Sequence, residues 1–206
     1  MDKKRKSILI TSFGIFFIIL GIVAIFNAFY YEDPYNILWL CYSSLIIIGI
    51  GVVLRDSRIV KSQIYILLIP DIIWLFSLLS YGLTNGNPFI KTVNYLFLPG
   101  PILPKLVSLQ HILTIPTVII LSCKFINKRG RIWIPSFIQL IIFFLIARIF
   151  TPPEKDINCS YNFCATYISN IHPFIFIIIW LVGGFLMIYL SKKIIDWISQ
   201  KLPCLI

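Results

Sequence analysis

Long apolar runs alternate with short polar connections along the whole chain, and six of the runs reach 18 to 20 residues: 8–26, 35–54, 64–83, 106–123, 132–150 and 171–190. At 1.5 Å of rise per residue, each is long enough to cross a ~30 Å hydrocarbon core as a helix. A bilayer offers the backbone no hydrogen-bond partners, so a spanning segment must satisfy its own peptide groups. The pattern therefore predicts an all-α integral membrane protein. It is a six-transmembrane-helix bundle making one transmembrane domain over residues 1–206. The first run follows a basic Met1–Lys6 stretch but is longer than a signal core and is not followed by an A-x-A site, so it reads as an uncleaved anchor.

Charge orients the bundle. Of 18 Lys and Arg, 14 fall on the side of the two termini, in clusters around Lys3–Lys6, Arg55–Lys61, Lys124–Arg131 and Lys192–Lys201. The opposite side holds Lys91, Lys105, Arg148 and Lys155. Cytoplasmic loops retain basic residues, which places both termini in the cytoplasm. The net charge of +10 is then a topology signal facing anionic headgroups, and nucleic acid is not an expected partner. The tail from Ser191 mixes Ile194, Ile195, Trp197 and Ile198 with Lys192, Lys193 and Asp196, a pattern suited to a short C-terminal interfacial helix.

Two non-cytoplasmic loops are longer than a reversal requires. Residues 84–105 combine an N-G-N-P turn, an apolar patch with Tyr95, Phe97 and Leu98, and Pro99, Pro101 and Pro104, which disfavour regular helix there. This loop is expected to lie at the outer interface and cap the bundle. Residues 151–170 carry Cys159 and Cys164, which in an oxidising compartment can close a disulfide. Free thiols remain the alternative, and the C-x4-C spacing argues against redox catalysis and against zinc. Cys41 and Cys123 read as small apolar fillers, and Cys204 does not fit a prenylation signal. Paired glycines at Gly49 and Gly51, and at Gly183 and Gly184, read as sites of close helix packing.

Polar residues inside apolar spans are the candidates for function, because a bilayer makes them costly. Asp71 lies in mid-span beside Pro70, which can open a kink, with Trp74 one turn on. The fourth span carries Ser108, Gln110, His111 and Thr114, a polar stripe facing inward. Counted from the span centres, Asp71 and His111 differ in depth by roughly 10 Å, so that direct contact would need tilt, a kink or a water. Arg148 reads as a clamp at the mouth of the same cavity or as a partner of Glu154 or Asp156. Trp39, with Asn36 and Ser43, supplies a further wall. No metal site is expected, and no cofactor follows from these residues.

The segments I-L-W-L-C at 37–41, P-D-I-I-W at 70–74, L-x-x-L-Q-H-x-L-x-x-P at 106–116 and T-P-P-E-K-D-I-N at 151–158 resemble a group of small prokaryotic multi-pass membrane proteins with no assigned activity. The resemblance implies a prokaryotic plasma membrane and weight on Trp39, Trp74, His111, Pro116 and Asn158, but no mechanism. Signatures of P-loop NTPases, zincins, nucleophile-elbow hydrolases and potassium filters are missing. Two main readings remain: binding or processing of a lipid or isoprenoid-like molecule in an outer-half cavity, or proton-coupled transport through Asp71. A third is an accessory subunit of a membrane complex, with homo- or hetero-oligomeric partners.

Overall fold

The computed structural model describes residues 3–84, 86, 88–124, 132–164 and 171–201. Its elements are helices: α1 Lys3–Tyr31, α2 Leu40–Val53, α3 Ser57–Leu83, α4 Ile102–Ser108, α5 Gln110–Lys124, α6 Trp133–Phe150 and α7 Pro173–Lys201. Short 3-10 turns lie at Pro34–Leu38, Lys91–Leu96, Pro153–Lys155 and Ile157–Cys159. The predicted basic residues Lys128, Arg129 and Arg131, together with Cys204, lie outside the described residues, as does the side chain of Cys123.

Four helices are long and apolar enough to cross a membrane: Ser7–Tyr31, Ser57–Leu83, Trp133–Phe150 and Pro173–Gln200. The other two predicted runs are built differently. Residues 35–54 begin as a 3-10 turn, capped where Asp33 accepts from the Tyr35 amide at 3.0 Å, and only then enter the 14-residue α2, about 21 Å long. The run at 106–123 divides at Leu109, whose amide bonds back to Leu106 at 3.1 Å in the tighter 3-10 pattern, so it is shared between α4 and α5.

Two other expectations are corrected. Prolines were expected to keep residues 99–105 from forming helix, yet α4 starts directly after Pro101. Pro104 sits in its first turn, where an amide hydrogen has no intrahelical partner in any case. Pro70 lies within the continuous α3 with its ring exposed. Among the described residues no separate interfacial helix follows the last apolar run: α7 runs unbroken for 29 residues. Neither Pro nor Gly interrupts it near Leu190, and Ile188, Ser191 and Ile195 continue one buried face against the bundle.

Polar side chains share the interior with an apolar core, and the outside is strongly apolar. Asn27, Ser44, Gln63, Asp71, Ser77 and Ser136 are sealed inside, while large apolar side chains such as Ile19, Ile22, Leu79 and Ile149 cover the outside. α3 is the central helix, packed against α2, α5, α6 and α7. It follows α2 through a three-residue turn in which Arg55 is left-handed at φ 55°, and Asp56 caps it by accepting from the Arg58 amide at 2.8 Å. Polar contacts fasten α3 to α6: Gln63 and Gln139 exchange amide hydrogen bonds of 2.8 and 3.1 Å, and Ser136 Oγ donates to the Ser62 carbonyl at 2.8 Å. α1 lies along α2, where a Cβ on Gly49 would meet the Gly14 carbonyl oxygen at 2.5 Å, so only glycine permits that approach. Of the paired glycines in α7, Gly184 is the packed one, against Leu140; Gly183 faces open space.

Candidate functional site

Asp71 and His111 meet directly. His111 Nδ1 lies 2.7 Å from Asp71 Oδ1, which corrects the 10 Å depth difference expected from the sequence. The apolar runs were read too short: α3 extends down to Ser57 and is centred on residue 70, and α4 with α5 is centred on residue 113. Measured from these centres, both side chains lie toward the end of the bundle where α3 finishes and α4 begins, within about 2 Å of one height. No tilt or bridging water is needed.

Each neighbour of the pair follows from helical spacing. Trp74, one turn after Asp71 on α3, stacks on the imidazole with ring centroids 4.6 Å apart and planes at 29°. Thr114, one turn after His111, joins Asp71, Leu67, Leu68, Ile48 and Ile115 around a cavity of about 10 Å³, the scale of one water molecule. Asp71 is 2 % exposed, and its second oxygen, Oδ2, has no hydrogen-bond partner among the described residues. A carboxylate on Nδ1 holds the proton at that nitrogen, which leaves Nε2 as the ring atom free to exchange one.

Cys41, in the first turn of α2, is half-buried and packs against the apolar core of the bundle. His111 is half-buried too, whereas Asp71 behind it is sealed. No group of three His, Cys, Asp or Glu among the described residues is placed to hold a metal ion.

The remaining sequence candidates lie elsewhere. Gln110 opens α5 and is 3 % exposed, with a buried Oε1 that has no partner among the described residues, but it does not join the Asp71 contact. Trp39 caps α2 and donates from Nε1 to Asn36 Oδ1 at 3.2 Å, packing with Ala24, Ala28, Tyr42 and Val107. Ser43 faces the opposite side of α2, in an open, mostly apolar groove of about 470 Å³ shared with α6. Arg148 is not at the mouth of the Asp71 site. Its Nη1 donates to the Ser160 carbonyl at 2.9 Å, and its guanidinium lies 4.9 Å from the Tyr161 ring centroid and 5.5 Å from that of Phe144.

Arg148 instead helps build a latch from the loop after α6. Tyr161 OH donates to the carbonyls of Arg148 and Thr151 at 2.6 and 2.8 Å, and Asp156 accepts from the amides of Tyr161 and Asn162 at 2.7 and 3.0 Å. Burial pushes the Asp156 carboxyl up from its ordinary range, opposed by those amides and by Arg148. Cys159 and Cys164 are joined as a disulfide, with Cα atoms 5.3 Å apart. Asn158, left-handed at φ 57°, clasps the start of α2: its Oδ1 accepts from the Leu40 amide at 2.9 Å and its Nδ2 donates to the Leu38 carbonyl at 2.8 Å. Lys155 pairs with Asp33 beside it, which holds the Asp33 carboxyl below its ordinary range. The loop thus fixes the peptide units just ahead of Cys41.

The other long loop also closes down on the bundle. Phe89 and Ile90 donate their amides to Ser80 and Ser77 at 3.1 and 3.2 Å, Tyr81 stacks on Phe97, and Tyr95 OH hydrogen-bonds Ser108 on α4. Val93 is buried, while Phe97 and Leu98 stay exposed.

Comparisons with family models, with curated proteins and with solved structures gave no match. The functional reading therefore rests on the geometry of these residues.

Proposed function

We propose that this is a six-crossing membrane protein with both termini cytoplasmic, in which α2 and the α4–α5 pair complete the bundle formed by the four long helices. Its Asp71–His111 site, in the outer half, takes a lipophilic or amphipathic molecule such as a lipid or an isoprenoid. The observation that carries this reading is the 2.7 Å contact between Asp71 and His111, roofed by Trp74, at a depth where an unused ionisable pair is costly. Access is from the side. On α5 the residues that follow His111, Ile112 and Leu113, are exposed apolar side chains facing where acyl chains would lie.

A second reading, a proton-coupled carrier, draws on the unpartnered Asp71 Oδ2 beside the 10 Å³ cavity, where a proton could be taken up and released. One experiment separates the two. Wild type, His111→Ala and Asp71→Asn are purified in lipid nanodiscs, and co-purifying small molecules are identified by mass spectrometry. A lipophile enriched over bulk lipid in the wild type, and depleted at least 10-fold in both variants, is expected. Bulk lipid alone in all three contradicts the binding reading and leaves transport as the account of Asp71.

A further inference from the structure

We infer that the Cys159–Cys164 bond is a redox-controlled fastener: oxidised, it locks the loop after α6 onto the start of α2, and reduction by a dithiol frees that end of α2. The inference stands apart from what the Asp71–His111 site binds.

The loop ties three helix ends together. Inside the ring that the two cysteines close, Tyr161 OH donates to the carbonyls of Arg148 and Thr151 at the end of α6. The Phe163 ring meets Phe176 of α7 edge to face, with centroids 5.0 Å apart. Directly outside the ring, Asn158 accepts from the Leu40 amide at 2.9 Å and donates to the Leu38 carbonyl at 2.8 Å. The Pro34–Leu38 turn touches both α6 and the Ile157–Cys159 turn. The clasp thus joins the start of α2 to the end of α6, the two helices that wall the groove of about 470 Å³ with Ser43 and Ile47 on one side and Ile138 and Ile142 on the other.

The backbone of the clasp is one its residues do not adopt unaided. Asp156, Asn158 and Cys159 have φ of 42°, 57° and 54°, three left-handed residues other than glycine within four positions. Asparagine and aspartate tolerate that region better than cysteine does. Such residues persist only where their surroundings over-determine them, and they gather at clamps and switches. Here the surroundings are the disulfide, the Asp156 carboxylate accepting from the Tyr161 and Asn162 amides, and Arg148 on the Ser160 carbonyl. Opening the bond lets Cys159 return to negative φ, and that rotation disturbs the Asn158 clasp beside it. The bridged residues are only five apart, so the bond closes a short ring and adds less to the stability of the whole chain than a bridge across a long loop would. Its main effect is local. Both cysteines are half-buried rather than sealed, which leaves an attacking thiolate a way in.

The exchange balances with a dithiol as reductant. One thiolate of the dithiol attacks a cysteine sulfur, the Cys159–Cys164 bond breaks, and a mixed disulfide forms. The second thiolate of the dithiol displaces that cysteine and leaves the reductant as a disulfide. Two electrons pass to the protein, and Cys159 and Cys164 take up the two protons that the dithiol gives up.

The test uses the full-length protein in nanodiscs, first oxidised and then reduced with dithiothreitol without denaturant, with amide hydrogen exchange read by mass spectrometry. Reduction is expected to speed exchange at residues 38–41 by at least about 10-fold, to leave residues 64–68 of α3 unchanged, and to reverse on reoxidation. Cys159→Ser combined with Cys164→Ser should match the reduced protein with or without dithiothreitol. In Asn158→Ala, where the clasp is already lost, reduction should change exchange at residues 38–41 by less than about two-fold. A bond that dithiothreitol leaves intact in the folded protein would overturn the inference, as would equal exchange at residues 38–41 in the two redox states. Faster exchange throughout the bundle on reduction would overturn it by making the bond an ordinary staple. An acceleration in Asn158→Ala as large as in wild type would overturn it by showing that the bond does not act through the clasp.

Discussion

His111→Leu is expected to destabilise the bundle by about 3–5 kcal/mol, while Asp71→Leu combined with His111→Leu stays close to wild type. Asp71 is 2 % exposed, its Oδ2 already lacks a partner among the described residues, and His111 is the partner of its Oδ1. Removing the ring alone strands a sealed carboxyl group whose desolvation nothing offsets. Removing both leaves leucines in a region already lined by Ile48, Leu67, Leu68 and Ile115, where the apolar replacement packs. Reversible unfolding of wild type, the two single variants and the double variant in mixed micelles gives the cycle directly, and the coupling energy should exceed about 1 kcal/mol. Additive single effects would mean that the two side chains do not share one buried contact.

Asn158→Ala carries the second large effect, because one side chain does three things. It satisfies the Leu40 amide, an orphan donor of a helix start, and it donates to the Leu38 carbonyl. It also occupies φ 57°, a conformation asparagine tolerates better than alanine. The combined loss is expected to be about 2–4 kcal/mol. Its signature is local: amide hydrogen exchange at residues 38–41 should speed up by at least about 10-fold, and Cys41 should alkylate faster. Asn158→Asp keeps the acceptor for Leu40 and loses only the donor, so it should fall between alanine and wild type. Unchanged exchange at Leu40 in the alanine variant would show that the loop does not hold the start of α2.

Much of the architecture was legible in the chain because a bilayer makes simple demands. Apolar runs long enough to cross it mark helices, and polar groups within them stand out. That is why Asp71, His111 and Trp74 could be singled out one at a time. Their meeting was not legible, since depth depends on where α3 starts and on α4 and α5 together making one descent, and those ends lie in polar or proline-bearing sequence. The continuous α7 was misjudged for a related reason: Lys192 and Lys193 look like the end of a span, but Ser191 and Ile195 keep the buried face going. Arg148 looked like part of the central site because only its height was readable, while its partners Ser160 and Tyr161 are set by the turn of the following loop. Asn158 acts through backbone atoms 118 and 120 residues away, which no local pattern encodes.

The imidazole of His111 is the hinge of the whole reading, and the chain has only two histidines, so both can be followed at once. Protein labelled with 15N in histidine alone, in nanodiscs, should show one set of ring signals from exposed His172 and one from His111. The His111 set should carry a slowly exchanging Nδ1 proton in a strong hydrogen bond, lost in Asp71→Asn. Ring signals that cannot be told from those of His172, and that Asp71→Asn leaves unchanged, would contradict a site built on the Asp71–His111 pair.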